Sequence, residues 1–171
     1  MDTGEIDAII KQYVSTTHYY KGVFNPKVIL RELQLRKPGS VFVVNTSPLP
    51  NDKIEYLHWV AMYVLDEDGL EFFDSFGNRP EFYGGYIESF VNSFRRCNWN
   101  DHCFQEYGSQ VCGGYCCYFA IRRCSHDSLL SLIDDMKENG INDRWMHENL
   151  SKEPALRPDS IFRRSPRTRC V

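Results

Sequence analysis

Cys112, His58 and Asp74 are the residues of this chain whose types and placing could carry out nucleophilic chemistry. His58 opens the apolar stretch His58-Trp-Val-Ala-Met-Tyr-Val-Leu65, and Asp74 interrupts the aromatic stretch Leu70-Glu-Phe-Phe-Asp-Ser-Phe76. Neither polar residue is what a packed strand calls for. The two stretches read as the arms of an antiparallel hairpin turning at Asp66-Glu67-Asp68-Gly69. Pairing His58 directly with Asp74 would centre that turn at residue 66, so the two side chains are expected to be neighbours. An aspartate beside a histidine fixes the imidazole tautomer and stabilises the imidazolium.

Cys112 supplies the third part. In Gln110-Val-Cys-Gly-Gly-Tyr115 it stands at the expected start of a helix, where unpaired N–H groups and the positive end of the helix dipole favour a thiolate. Gly113 and Gly114 would leave open space beside the sulfur for a substrate backbone. The Cys112 N–H is a candidate oxyanion donor. Gln105, seven residues upstream in a polar loop, is the candidate for a second, and Gln110 is its nearby alternative.

The elements that must position these residues can be read around them. Thr3 is the expected cap of a first helix with Ile6, Ile9, Ile10, Tyr13 and Val14 on one face. Tyr19 to Pro26 reads as a turn region, with Asn25-Pro26 starting a short helix through Ile29, Leu30 and Leu33. Val41 to Val44 is a short buried strand, and Thr46 to Asp52 a loop. After the hairpin comes a helix with Ile87, Phe90, Val91 and Phe94 inward. Arg95 to Gln110 follows as an irregular stretch with room for one short strand. A helix then runs from Cys112 to about Arg123 with Tyr115, Cys116, Phe119 and Ala120 on its inner face. Two more are expected near Ser128–Met136 and Asp143–Leu150. The fold class is α+β: a small mixed or antiparallel sheet packed against the helix that begins at Cys112, with other helices around it.

Several segments together resemble the adenovirus protease (adenain) family of cysteine endopeptidases. They are His58-Trp59, Phe72-Phe-Asp-Ser-Phe-Gly77, and Gln-x₃-Ser-x₂-Cys-Gly from 105 to 113, in that order. The same clan includes the SUMO-deconjugating proteases. The seven-residue step from Gln105 to Cys112 is similar to the adenovirus type, whereas Asp74 in place of glutamate matches the SUMO branch. Tyr20-Lys-Gly-Val-Phe24, Val44-Asn-Thr46 and Cys112-Gly-Gly-Tyr-Cys116 look most like the adenain-like proteases of Polinton (Maverick) elements and adintoviruses. The resemblance spans roughly residues 20 to 125. It implies Cys112 as nucleophile, His58 as general base and then acid, Asp74 as the group orienting His58, and Gln105 as oxyanion donor. Trp59 would shield the site. The implied activity is endoproteolysis after glycine in viral or virus-like structural precursors during capsid maturation. A ubiquitin-like-protein deconjugase and an inactive binding module of the same fold are the alternatives.

Composition bounds the rest. The 171 residues, 42% apolar and 25% charged, suit one domain, read here as 1–156, with a basic tail over 157–171. Five arginines against one aspartate give that tail +4, so the net charge of −3 leaves −7 on the remainder. No run approaches the roughly 18 apolar residues of a bilayer span, and the acidic start is no signal peptide. The expected location is therefore intracellular, in a host nucleus or cytoplasm or packaged in virions, and not secreted. The seven cysteines (97, 103, 112, 116, 117, 124, 170) then read as thiols. With His102 and His126 they raise zinc as a competing use, but no pair forms a Cys-x₂-Cys knuckle, so no metal is expected. Two accessory factors follow from the resemblance alone. The tail, Arg163-Arg-Ser-Pro-Arg-Thr-Arg-Cys170-Val171, would be an activating peptide pairing Cys170 with Cys97 or Cys103, against the simpler reading of a solvated basic tail. DNA would be a second cofactor, but the acidic body confines nonspecific contact to the Arg-rich tail. The expected partners are protein substrates, either capsid precursors or ubiquitin-like conjugates, with no membrane contact.

Overall fold

The computed structural model describes residues 1–14, 19–47 and 58–150. The tail and most of the loop expected at Thr46–Asp52 lie outside them.

The protein is α+β, built on a five-stranded mixed sheet whose spatial order follows the chain. The strands are β1 (Tyr20–Phe24), β2 (Val41–Asn45), β3 (Trp59–Val64), β4 (Gly69–Phe73) and β5 (Arg96–Trp99). The central pairs, β2 with β3 and β3 with β4, are antiparallel, and the outer pairs are parallel. Parallel neighbours need a crossover. The first is made by a single helical turn, α2 (Pro26–Ile29), with a 3₁₀ turn at Leu33–Arg36; the second by a 3₁₀ turn at Pro80–Tyr83 and α3 (Gly85–Val91). Ile29, Leu35, Ile87 and Phe90 from both crossovers pack with Phe42, Val44, Val60, Met62 and Phe72 on one face of the sheet. On the other face α1 (Thr3–Tyr13), α4 (Cys112–Cys124), α5 (Leu129–Glu138) and α6 (Asp143–Asn149) meet Val41, Val43, Ala61 and Phe73. Covering both faces explains why Val41–Val44 is an unbroken apolar run rather than an alternating one.

α4 is the central helix. Every residue from Cys112 to Ile121 is buried, not only the expected inner face, because α1, α5 and α6 cover the side turned away from the sheet. Its sequence, with two glycines and four cysteines, has weak intrinsic preference for a helix, so burial between layers sustains it.

Two expectations change. α1 is capped by Asp2 rather than Thr3, since the Asp2 carboxylate accepts from the Glu5 N–H (2.9 Å) while Glu5 accepts from the Asp2 N–H (2.7 Å). The turn region after Tyr19 is the edge strand β1. Its ladder to β2 is irregular at Gly22, whose φ of 120° gives the segment its turn-like composition. The irregular stretch after Arg95 does hold its one short strand, β5. Asn25 caps α2 ahead of Pro26 as read from sequence, its side chain accepting from the Lys27 N–H at 2.9 Å.

Candidate active site

His58 lies immediately before β3 and Asp74 immediately after β4. Because these strands are antiparallel, both residues emerge at the same end of the sheet. The register pairs Ala61 with Phe73 and Val64 with Leu70, so His58 falls opposite residue 76, two places from the direct pairing with Asp74 expected from sequence. The reason is the turn. Leu65 and Gly69 close a three-residue loop, with the Leu65 N–H donating to the Gly69 carbonyl (2.9 Å) and Asp66 accepting from the Asp68 N–H (2.9 Å). A two-place offset leaves the side chains on the same face, and the chain at Asp74 turns out of the strand to reach the histidine.

The contact itself is short: His58 Nε2 and Asp74 Oδ1 are 2.6 Å apart. The Asp74 side chain is wholly buried and that of His58 is 15% exposed. His58 also shares a hydrogen bond with Cys112. With Nε2 committed to Asp74, Nδ1 is the ring nitrogen left for the sulfur. The structure thus brings His58, Asp74 and Cys112 together as read from the sequence. Burial works against charge on His58, but the hydrogen bonds and charges of Asp74 and Cys112 outweigh it and raise its pKa to about 9. Burial likewise opposes the Asp74 carboxylate. The His58 contact, the Phe76 N–H and the Tyr83 hydroxyl overcome that and hold it below the ordinary carboxylate value.

The acid is held by a turn built for it. Asp74 accepts from the N–H of Phe76 (3.0 Å), the N–H of Asn78 (3.1 Å) and the hydroxyl of Tyr83 (2.7 Å). Asn100 grips its backbone, accepting from the Asp74 N–H at 2.8 Å and donating to its carbonyl at 2.5 Å. Gly77 closes the turn with its N–H on the Asp74 carbonyl (2.8 Å). Its φ of 73° and the His102 carbonyl carbon, 2.9 Å from where a Cβ would stand, admit no side chain. Tyr83 and Phe76 also flank the histidine ring, at 5.9 Å and nearly parallel, and at 4.9 Å. Tyr83 and Asn100 carry no sequence signal, because each acts across a turn or a crossover.

Gln105 is buried (3% exposed) beside the triad's supports. Its Oε1 accepts from the Ser75 hydroxyl at 2.6 Å, and its Nε2 donates to the Ser109 carbonyl at 2.8 Å. The first links it to the neighbour of Asp74, the second to the segment leading into Cys112. Gln110, the alternative, is exposed. Cys112 begins α4 at 5% exposure, after Val111, with no side chain capping the helix start.

Gly113 does not leave open space, whereas Gly114 lines a pocket with Met1, Gln110, Val111, Met146 and His147. A Cβ on Gly113 would stand 3.0 Å from the Met1 Cβ and 3.2 Å from Ile6, and one on Gly114 would stand 3.5 Å from Met146. Gly113 lets Met1 and Ile6 close on α4, while the distance at Gly114 is an ordinary contact. Trp59 belongs to the same packing, 2% exposed in the core, its indole N–H donating to the Met1 carbonyl at 3.2 Å.

Cys97, Cys103, Cys112, Cys116, Cys117 and Cys124 are free thiols. Among the described residues no group of three or more His, Cys, Asp or Glu could hold a metal ion, and no helix is long and apolar enough to cross a membrane. Cys170 lies outside the described residues. No family model matches this chain, and no curated protein matches it.

Proposed function

We propose that this protein is a cysteine endopeptidase. The observation that carries the reading is one imidazole in contact with both a buried carboxylate and the thiol at the start of a buried helix. A structural histidine has no need of both partners. Cys112 gives up its proton to His58, and the thiolate attacks a peptide carbonyl. A sulfur–carbon bond forms, and the carbonyl π electrons move to oxygen, where the Cys112 N–H and the Gln105 amide receive them. The tetrahedral species collapses, the carbon–nitrogen bond breaks, and His58 protonates the departing amine. Water, deprotonated by His58, then releases the acyl group as a carboxylic acid.

The resemblance to adenain-like proteases supplies the substrate class in this proposal: glycine before the scissile bond, in structural precursors of a virus or virus-like element. Ubiquitin-like-protein deconjugation uses the same chemistry and the same preference for glycine.

Labelling with a peptidyl-glycine vinyl sulfone, followed by mass mapping, tests the reading. An adduct confined to Cys112 and abolished by His58→Ala supports it. Labelling spread over several thiols, or none even with tail peptide and DNA added, overturns it in favour of a binding module. Cleavage of a glycine-containing capsid-precursor peptide, compared with a SUMO-type conjugate, then separates the two enzymes.

A further inference from the structure

We propose that Ser75 is a positioning residue for Gln105, so that the turn carrying the acid also supports the second oxyanion donor. The inference rests on the endopeptidase reading above. A primary amide has two ends of nearly equal shape and opposite polarity, and only Nε2 can donate to an oxyanion. In Gln105 each end meets a partner of opposite sign: the Ser75 hydroxyl donates to Oε1 (2.6 Å), and the Ser109 carbonyl accepts from Nε2 (2.8 Å). A flipped amide would set Oε1 against the Ser109 carbonyl, two acceptors face to face. The second hydrogen on Nε2, not given to Ser109, is the one left for substrate.

Ser75 and Gln105 are 0% and 3% exposed, so water does not replace the serine if its hydroxyl is lost. Oε1 would then be buried without that donor, and the side chain held at one point instead of two. The backbone of Ser75 acts on the same loop, its carbonyl accepting from the N–H groups of Phe104 (2.8 Å) and Gln105 (3.0 Å). The loop is braced again from α4 and α6. The Tyr115 hydroxyl shares its one proton between the Phe104 carbonyl (3.1 Å) and Asp143 (2.9 Å), and the Glu106 N–H donates to Asp143 (3.0 Å). Ser75→Ala removes only the side-chain contact and leaves all of these. The loop stays in place while the amide loses its second anchor. Ser75 is also the next residue after Asp74, which ties the orientation of the base and of the oxyanion donor to one short turn.

The test compares wild type, Ser75→Ala, Ser75→Thr, Gln105→Ala and the Ser75→Ala/Gln105→Ala double variant on a glycine-containing peptide. Gln105→Ala should lower kcat by about 10²–10³-fold. Ser75→Ala should lower it by roughly 10-fold with KM unchanged, Ser75→Thr should recover most of that, and the double variant should be no slower than Gln105→Ala. A peptidyl-glycine aldehyde, whose adduct places its oxygen at the donors, should bind Ser75→Ala more weakly by the same factor. Vinyl sulfone labelling, which puts no charge on a carbonyl oxygen, should proceed at nearly the wild-type rate. An unchanged kcat in Ser75→Ala, an equal further loss in the Gln105→Ala background, or an equal loss of vinyl sulfone labelling overturns the inference. So does an unchanged kcat in Gln105→Ala. Wild-type protein that neither cleaves nor labels overturns the endopeptidase reading itself, which is a distinguishable result.

Discussion

His58 is the residue on which the proposed chemistry turns, and its charge has a direction in pH that can be measured. Its pKa, raised to about 9 by Asp74 and Cys112 against the effect of burial, keeps the imidazolium in place through neutrality. kcat/KM should therefore hold level as pH rises past 7 and fall as pH passes about 9, where the proton for the leaving amine is lost. Asp74→Asn removes the attracting charge and should move that alkaline limb down by about 1–3 pH units in a pH–rate profile. The same shift governs folding. Because the folded value lies above the ordinary 6.5, the stabilisation from a charged His58 is complete below pH 6.5 and is lost as pH rises to about 9. Asp74 behaves in the opposite sense: its contribution is present above the ordinary carboxylate value and lost as pH falls through the lower folded one. Denaturant titrations between pH 6.5 and 9 should show wild-type stability declining and His58→Ala lacking that part of the slope. Tyr83→Phe keeps the ring against His58 and deletes one donor to Asp74, which should cost about 1–2 kcal/mol of stability.

The elements matter through where they end. β3 begins just after His58, β4 ends just before Asp74 and α4 begins at Cys112, so each residue is set by an element terminus rather than by a free loop. Gly77 fixes the terminus of β4, and Gly77→Ala should cost more than about 1 kcal/mol, because its backbone is left-handed and the His102 carbonyl leaves no room. Cleavage should fall with it, as the displaced turn carries Asp74 from His58; a wild-type unfolding midpoint would refute this account of the turn. The same termini explain what could be read from the sequence. A histidine and an aspartate at the ends of otherwise apolar runs stand out, as does a cysteine before a helix, and all three meet as expected. The hairpin register slipped by two places because turn length is decided by Asp66 and Gly69, not by the apolar pattern. β1 escaped notice because an edge strand with an irregular ladder carries lysine and glycine where an inner strand carries valine. Ser75, Asn100 and Tyr83 were not legible as supports, since their partners lie 9 to 30 residues away and are brought close only by folding. Gly113 reads differently in the fold: in sequence a glycine beside Cys112 looks like access, whereas here it is a close approach of α1 to α4.

At the scale of the whole molecule, the sheet and α4 must stay in one relative position for Asp74 and Cys112 to share His58. One end of that interface is held by the triad itself. The other is held by Arg123, in the last turn of α4, whose guanidinium Nε lies 2.9 Å from Glu71 on β4, both side chains 6% exposed. The guanidinium carbon also sits 3.7 Å from the centre of the Tyr63 ring on β3, so a single side chain spans two strands. Burial pushes the Glu71 pKa up, and the charge of Arg123 offsets that only in part. A buried carboxylate in this state depends on its cation. Arg123→Met should therefore cost about 3–5 kcal/mol, because Glu71 is left buried and unpaired, whereas Glu71→Leu/Arg123→Met should recover most of the loss. Chemical denaturation of the two variants measures both. Eleven residues of helix separate Arg123 from Cys112, about 16 Å along the axis. Vinyl sulfone labelling of the double variant should consequently match wild type while it remains folded. A double variant as unstable as Arg123→Met would mean that packing against Tyr63, rather than charge pairing with Glu71, fixes α4 on the sheet.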